Sequence, residues 1–110
     1  MADLYTKENA KNLQRLRELH PRLYKAFHEF SQEVFKDDAL PGKTKQLIAV
    51  AVAHTTQCPW CISGHTKAAK RAGATDPEIA EAIYVAMEMR AGASYTHGGI
   101  AMASLEETEH

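Results

Sequence analysis

Apolar residues recur at helical spacing along the first third of the chain. Within the charged segment 8–19, three leucines fall on one face: Leu13, Leu16 and Leu19. Pro21 suits the first turn of a second helix. Its apolar positions follow at helical intervals, at Leu23, Phe27, Phe30 and Val34. The breaker segment "DDALPG" at 37–42 ends this pattern. We therefore predict an N-terminal helical hairpin over about residues 7–36.

A third helix is predicted from about residue 43 to residue 55. Its centre, "LIAVAVA" at 47–53, has no polar face, so we expect neighbouring elements to cover both of its sides. The alanines and the total length favour helix over strand. Pro59 then begins a fourth helix, which carries both cysteines near its start and stops at Gly73.

A capping signature predicts the start of a fifth helix. Thr75 is the cap, a proline follows in the first turn, and Glu78 is the capping-box acid. Its buried stripe is expected at Ile79, Ala82, Ile83 and Ala86. Gly92 is expected to interrupt it before a last, weaker helix over about residues 93–105. The predicted fold class is all-α, with about six helices in a single domain spanning residues 1–110, whose cysteine-containing core covers about 40–105.

Composition narrows the function classes. The chain has 110 residues, 45% of them apolar, and a domain of this size buries a low fraction of its surface, so self-association is expected. Thirteen basic residues face fourteen acidic ones, for a net charge of -1. This balance argues against a nucleic-acid partner. The N-terminus lacks the pattern of a secretory signal, and the apolar run at 47–53 is too short to span a bilayer. We therefore expect a soluble, cytoplasmic protein without a membrane partner.

Both cysteines lie in "TTQCPWCISGH", residues 55–65. With Cys58 at the start of the fourth helix, Cys61 falls in its first turn, close enough for a disulfide between the two. The helix N-terminus favours thiolates there, and His65 follows one turn further along on the same face, within reach of Cys61 directly or through a water. We expect Cys61 to be the more nucleophilic thiol. The pair also suits half of a zinc site completed by histidines, or two inert thiols.

A longer stretch carries a family resemblance. "QLIAVAVAHTTQCPWCISGHTKAAKRAGATDPEIAEAI" resembles the core of the alkylhydroperoxidase D and carboxymuconolactone decarboxylase superfamily, through an apolar helix, a C-x-x-C-x-x-x-H motif, "AxxxGAT" and an acidic helix start. The similarity covers roughly residues 40–100. It implies an all-helical bundle that assembles as a homo-oligomer, a trimer or a hexamer. It also implies that the cysteine pair reduces peroxides and forms a disulfide during the cycle.

The resemblance assigns a role to each site residue. Cys61 matches the attacking cysteine, Cys58 the resolving cysteine and His65 the histidine of a proton relay. The glutamate of that relay falls on Gln46, which can hold a hydrogen bond but has no titratable group. The residue before the second cysteine, often histidine in the best-studied branch, is Trp60. The decarboxylase branch lacks the cysteine pair, so lactone decarboxylation fits this sequence poorly.

The sequence therefore predicts a thiol-dependent peroxidase or disulfide oxidoreductase of the peroxiredoxin type, weakened by the glutamine in the relay. Its partners would be a small hydroperoxide and a thiol or dithiol reductant, with no cofactor and no metal. His54, Trp60 and His97 are candidates for a supporting role around the thiols, although structural roles suit all three. Two alternatives stay open: a non-catalytic redox-sensing or oligomeric scaffold protein, and a zinc-binding module.

Overall fold

Five α-helices make up a computed structural model that describes residues 4–107. They are α1 (Lys7–Leu19), α2 (Pro21–Val34), α3 (Gly42–Thr56), α4 (Pro59–Arg71) and α5 (Asp76–Glu107). The described range contains no strand, so the all-α prediction is confirmed. Four of the predicted helix starts agree with the structure to within one residue, because caps and prolines act locally.

The capping box at the start of α5 is present as predicted. The Thr75 backbone N–H donates to Glu78 Oε1 at 2.9 Å, and the Glu78 N–H donates back to Thr75 Oγ1 at 3.2 Å. At the start of α1, Thr6 Oγ1 accepts from the Asn9 N–H at 3.0 Å. These contacts satisfy backbone donors that the first turn of a helix leaves without a partner.

The predicted interruption at Gly92 is wrong. The fifth helix continues through this glycine for 32 residues, a length of about 48 Å at the α-helical rise. A single glycine costs a helix about 1 kcal/mol relative to alanine, yet it keeps both of its backbone hydrogen-bonding groups. Ala91 and Ala93 flank it with the best helix former, and no proline follows. Residues 4–107 therefore contain five helices where about six were predicted for the chain.

The core lies where α3, α4 and α5 pack together. Its buried cluster consists of Val50, Ala69, Ala74 and Ile79, with Leu47 and Ile83 partly buried against it. The predicted stripe of α5 is confirmed, since Ile79 and Ala86 are buried and Ala82 and Ile83 are half-buried. Small side chains dominate this core, so the three helices approach closely. No helix within residues 4–107 is both long and apolar enough to cross a membrane.

The hairpin of α1 and α2 stands away from this core. Within residues 4–107, the two helices contact each other and no other helix. The radius of gyration is 19.0 Å, against about 13 Å for a compact chain of this length. The expectation that α3 is covered on both sides is wrong for the single chain, because Ile48 and Val52 are 48% and 51% exposed. An apolar pattern identifies side chains that favour burial, but it does not show which element, of this chain or another, buries them.

Candidate functional site

The backbone of Cys58 is held by the two helices that it joins. Gln57, directly after α3, adopts the left-handed conformation (φ 59°, ψ 43°), which turns the chain back on itself. The Cys58 N–H then donates to the Ala53 carbonyl at 3.3 Å, and the Cys58 carbonyl accepts the Ile62 N–H of α4 at 2.9 Å. This pattern closes the end of α3 and opens α4 on the same residue. The backbone that carries the thiol is therefore held from both sides.

A long-range contact supports the same turn. The Arg90 guanidinium of α5 donates to the Thr55 carbonyl at 2.8 Å. Carbonyls in the last turn of a helix lack partners within the helix, and a cation there is favoured by the helix dipole. Sequence analysis missed this residue, since nothing in the local pattern shows that α5 reaches the end of α3.

The two thiols face each other across the first turn of α4. Cys58 is the N-cap, and its Sγ accepts the Cys61 backbone N–H at 3.3 Å. Both cysteines are free thiols; Cys58 is half-buried and Cys61 is exposed. This is the arrangement expected from the spacing: two thiols at a helix N-terminus, close enough to form a disulfide when they are oxidised.

The structure favours the thiolate on Cys58. Hydrogen bonds from the Cys61 side chain and from the Cys61 backbone N–H lower the pKa of the Cys58 thiol. The hydrogen bond to Cys58 raises the pKa of the Cys61 thiol, with desolvation and the neighbouring charge adding to the rise. We expected Cys61 to be the more nucleophilic thiol, and a thiolate is the nucleophilic form of a cysteine. The N-cap position reverses the order of ionisation, because the sulfur of Cys58 receives the backbone N–H that would otherwise be unpaired.

His65 is positioned by two residues from outside its own helix. Its Nδ1 lies 2.8 Å from Gln46 Oε1 on α3. The Phe35 ring, directly after α2, stacks on the imidazole with centroids 5.2 Å apart and planes 26° apart. With the hydrogen on Nδ1 donated to the amide oxygen, Nε2 is left as an acceptor. The structure thus brings together Gln46 and His65, and it adds Phe35, which had no chemical signature in the sequence.

The imidazole is not hydrogen-bonded to the thiols. Within residues 4–107, no hydrogen bond joins His65 to Cys58 or Cys61. His65 lies one turn beyond Cys61 on α4, so a bridging water is the route by which a proton would pass between them. The site consists of two neighbouring parts, a thiol pair at the helix start and an oriented histidine one turn along.

The three supporting candidates lie in different surroundings. His54 Nδ1 contacts the Val50 carbonyl of its own helix at 2.7 Å, a structural contact. Trp60 packs edge-on against Tyr5, with ring centroids 5.7 Å apart. His97 is exposed on the second half of α5, in a shallow depression with Arg90 and Ser94. No described contact joins any of these three side chains to a thiol.

Metal-ligating side chains do not converge in the part of the chain that the structure describes. No group of three or more histidine, cysteine, aspartate or glutamate residues there has the geometry to hold an ion. A structural zinc site needs four such ligands. The hypothesis of a zinc-binding module therefore has no supporting cluster among residues 4–107.

Comparison with known proteins identifies several similar chains. The model of the carboxymuconolactone decarboxylase family matches residues 21–103. The chain is 62% identical over 84 residues to uncharacterised protein 4 in the cox locus of Paracoccus denitrificans, covering 76% of each chain. It is 37% identical over 93 residues to an uncharacterised protein of Haemophilus influenzae, covering 84% of this chain and 82% of the relative.

Two crystal structures share the fold. One is a carboxymuconolactone decarboxylase family protein from Legionella pneumophila in its apo form, with a TM-score of 0.71 and 36% identity over 93% of this chain and 91% of that one. The other is a protein from Methanobacterium thermoautotrophicum, with a TM-score of 0.74 and 31% identity over 78% of this chain and 97% of that one.

Proposed function

Because the chain belongs to the carboxymuconolactone decarboxylase family, whose alkylhydroperoxidase-like members include peroxidases, we propose that it is a thiol-dependent oxidoreductase. Its Cys58–Cys61 pair would reduce small hydroperoxides and be restored by a thiol or dithiol reductant. The observation that carries this proposal is the hydrogen bond of 3.3 Å from the Cys61 N–H to Cys58 Sγ. It holds two free thiols within one helical turn, so that once peroxide has oxidised one sulfur, the other can attack it.

The proposed cycle begins with the proton that the two thiols share. Cys61, the exposed thiol, passes its proton to Cys58 and attacks the terminal oxygen of the peroxide. The O–O bond breaks, the departing alkoxide takes up a proton to leave as alcohol or water, and Cys61 becomes a sulfenic acid. Cys58 then attacks that sulfur and releases water, which forms the disulfide. Two reductant thiols give up two electrons and two protons to restore the dithiol.

His65 and Gln46 would support the proton movements in this cycle. The imidazole Nε2, free to accept, lies one turn from Cys61, while the amide oxygen holds the ring from the opposite side. A neutral amide cannot take the proton onward, so the relay stops at the histidine. Attack by Cys61 also requires the less favoured ionisation of the pair. Both features point to a slow peroxide step at neutral pH.

Thiol titration with one equivalent of hydrogen peroxide tests this proposal. The wild type should lose both thiols and two hydrogen atoms of mass, while the Cys58→Ser variant should accumulate a sulfenic acid that a dimedone-type reagent traps. Cys61→Ser should give little trapped product. A sulfenic acid that forms only in Cys61→Ser would exchange the two roles, and thiols unchanged by peroxide in every variant would refute peroxidase activity.

A redox-sensing protein is the second candidate. Forming the disulfide removes the Cys58 thiolate as an acceptor for the Cys61 N–H, so oxidation would alter the first turn of α4. Multiple turnovers of peroxide with excess dithiol would favour the enzyme. A single stoichiometric oxidation followed by a changed helical signal would favour the sensor.

A further inference from the structure

One hydrogen bond does not fix the orientation of an imidazole. The contact of 2.8 Å between His65 Nδ1 and Gln46 Oε1 sets which edge of the ring faces α3. The ring can still tilt about the line that joins these two atoms, and Nε2 would move with it. The χ2 torsion of histidine is broad, so rotamer preference does not prevent this motion. A group that transfers protons has to be held more closely than that, so a second contact on the face of the ring becomes important.

Phe35 makes a contact on that face. Its ring lies nearly parallel to the imidazole, with planes 26° apart and centroids 5.2 Å apart. Offset stacking at this separation is a favoured arrangement of two aromatic rings and contributes beyond the area that it buries. A parallel ring opposes tilting of the imidazole, but it tolerates a half-turn about χ2, which the hydrogen bond to Gln46 opposes. The two contacts therefore restrain different motions of His65.

Core packing does not account for the position of Phe35. Among the described residues, the buried cluster between α3, α4 and α5 does not include this ring. Phe27 and Phe30, the other two phenylalanines of the chain, lie on α2 and are 68% and 65% exposed. Phe35, directly after α2, is half-buried instead. Its packing is thus specific to the imidazole.

The segment that carries Phe35 is fastened to the start of α3. Asp37 Oδ1 accepts the Gly42 N–H, and the Lys45 ammonium donates to the Lys36 carbonyl at 2.6 Å. Glycine leaves room for the first contact, because a Cβ at position 42 would lie 3.1 Å from Asp37 Oδ1. The backbone next to Phe35 is therefore anchored to the helix that also supplies the hydrogen-bond partner of His65.

We propose that Phe35 is a positioning residue for His65. Its ring holds the plane of the imidazole while Gln46 holds the edge, so that Nε2 keeps one orientation on α4. Phe35 acts through the histidine and not on the reacting sulfurs. The kinetic part of this inference rests on the proposed function, in which Nε2 accepts a proton. The restraint of the ring does not depend on that function.

A double-mutant cycle tests the kinetic part. Phe35→Leu keeps an apolar side chain but removes the flat ring, so it should slow single-turnover thiol loss about two- to ten-fold, the usual range for an aromatic pair. Phe35→Tyr keeps the ring and should restore the wild-type rate. In a His65→Ala background, Phe35→Leu should have no further effect, because there is no imidazole to hold. Phe30→Leu is the matched control, since it makes the same change at an exposed position of α2.

Nuclear magnetic resonance of isotope-labelled histidine tests the restraint itself, whether or not peroxide reacts. The signal that disappears in His65→Ala is assigned to this ring. In Phe35→Leu, the order parameter of the His65 Cε1–H bond should fall, because the imidazole gains freedom to tilt. The upfield shift caused by the neighbouring ring should disappear as well. Phe35→Tyr and Phe30→Leu should both match the wild type.

Each part of the inference can fail separately. An unchanged order parameter in Phe35→Leu would overturn the restraint. An unchanged rate in Phe35→Leu would overturn the kinetic part, and equal slowing with and without the imidazole would do so too, by assigning Phe35 a general structural role. A wild type whose thiols do not react with peroxide would refute the proposed function and the kinetic part with it. The order parameter of His65 would then decide the restraint by itself.

Discussion

Replacing Gln46 by glutamate should accelerate the peroxide step. The glutamine oxygen lies 2.8 Å from His65 Nδ1, so the substituted carboxylate has an oxygen available at the same place. A neutral hydrogen bond contributes about 0.5–1.5 kcal/mol net, and one to a charged group about 1.5–3 kcal/mol. Both residues are half-buried, so solvent weakens the gain to about 1–1.5 kcal/mol. This gain appears only as positive charge develops on the imidazole, that is, in the transition state of proton transfer.

A gain of this size corresponds to about five- to ten-fold in rate. Single-turnover stopped-flow measurement of thiol loss at pH 7, with peroxide in excess, gives that rate directly. Gln32→Glu is a matched control, because it makes the same change of charge on the exposed face of α2. Gln46→Leu should slow the reaction, since the ring loses its partner.

Two results would contradict this reasoning. If Gln46→Glu leaves the rate unchanged while His65→Ala abolishes it, the histidine acts without a relay acid. If neither substitution changes the rate, the N-terminus of α4 alone activates the thiol, and the histidine has a structural role.

Three further outcomes are expected. Peroxide should produce a disulfide between Cys58 and Cys61 within one chain, so mass spectrometry should detect no covalent dimer as the main product. Because Cys61 stabilises the Cys58 thiolate, Cys61→Ala should raise the pKa of the Cys58 thiol, and Cys58→Ala should lower the pKa of the Cys61 thiol. Ultraviolet titration of thiolate absorbance measures both pKa values. Unchanged values would refute the shared proton. The Thr75 backbone N–H, followed by the Lys43 ammonium, lowers the pKa of Glu78 from 4.5 to about 2. Glu78 therefore stabilises the fold above about pH 4.5, and this contribution to stability should be lost as the pH falls towards 2. Glu78→Gln should flatten this part of the pH–stability curve. A curve identical to that of the wild type would count against the capping box.

Local features of the fold were predictable from the sequence, whereas contacts between distant segments were not. The start of α5 was predictable because the Thr75 and Glu78 side chains each accept the other residue's backbone N–H, three positions apart in the sequence. The break predicted at Gly92 was wrong, because one glycine is a weak signal against flanking alanines. The exposure of Ile48 also escaped prediction, since an apolar pattern does not specify whether the same chain supplies the cover.

In the candidate site, too, local features were predictable and contacts between distant segments were not. The thiol spacing followed from the helix start, and the family resemblance placed Gln46 in the relay position that faces His65 in the structure. The stacking of Phe35 on the imidazole was not predictable, because it depends on how the hairpin returns towards α4. The order of thiol ionisation was missed for a different reason. The start of α4 at Pro59 was predicted correctly, but the sequence did not show that the sulfur of the N-cap Cys58 accepts the Cys61 N–H.

The left-handed turn at Gln57 has a consequence for the energetics of the proposed redox cycle. Most turns of this kind use glycine, and another residue costs about 1–2 kcal/mol there. Glutamine has fewer backbone conformations than glycine, and the N–H groups of Gln57 and Cys58 both bond to the Ala53 carbonyl. The turn is therefore stiff, so disulfide formation should leave the backbone at the end of α3 in place, and the change should fall on the cysteine side chains and the first turn of α4. In the proposed cycle, a thiol pair held at its α3 end in this way should need little backbone movement when its reduced and oxidised forms interconvert.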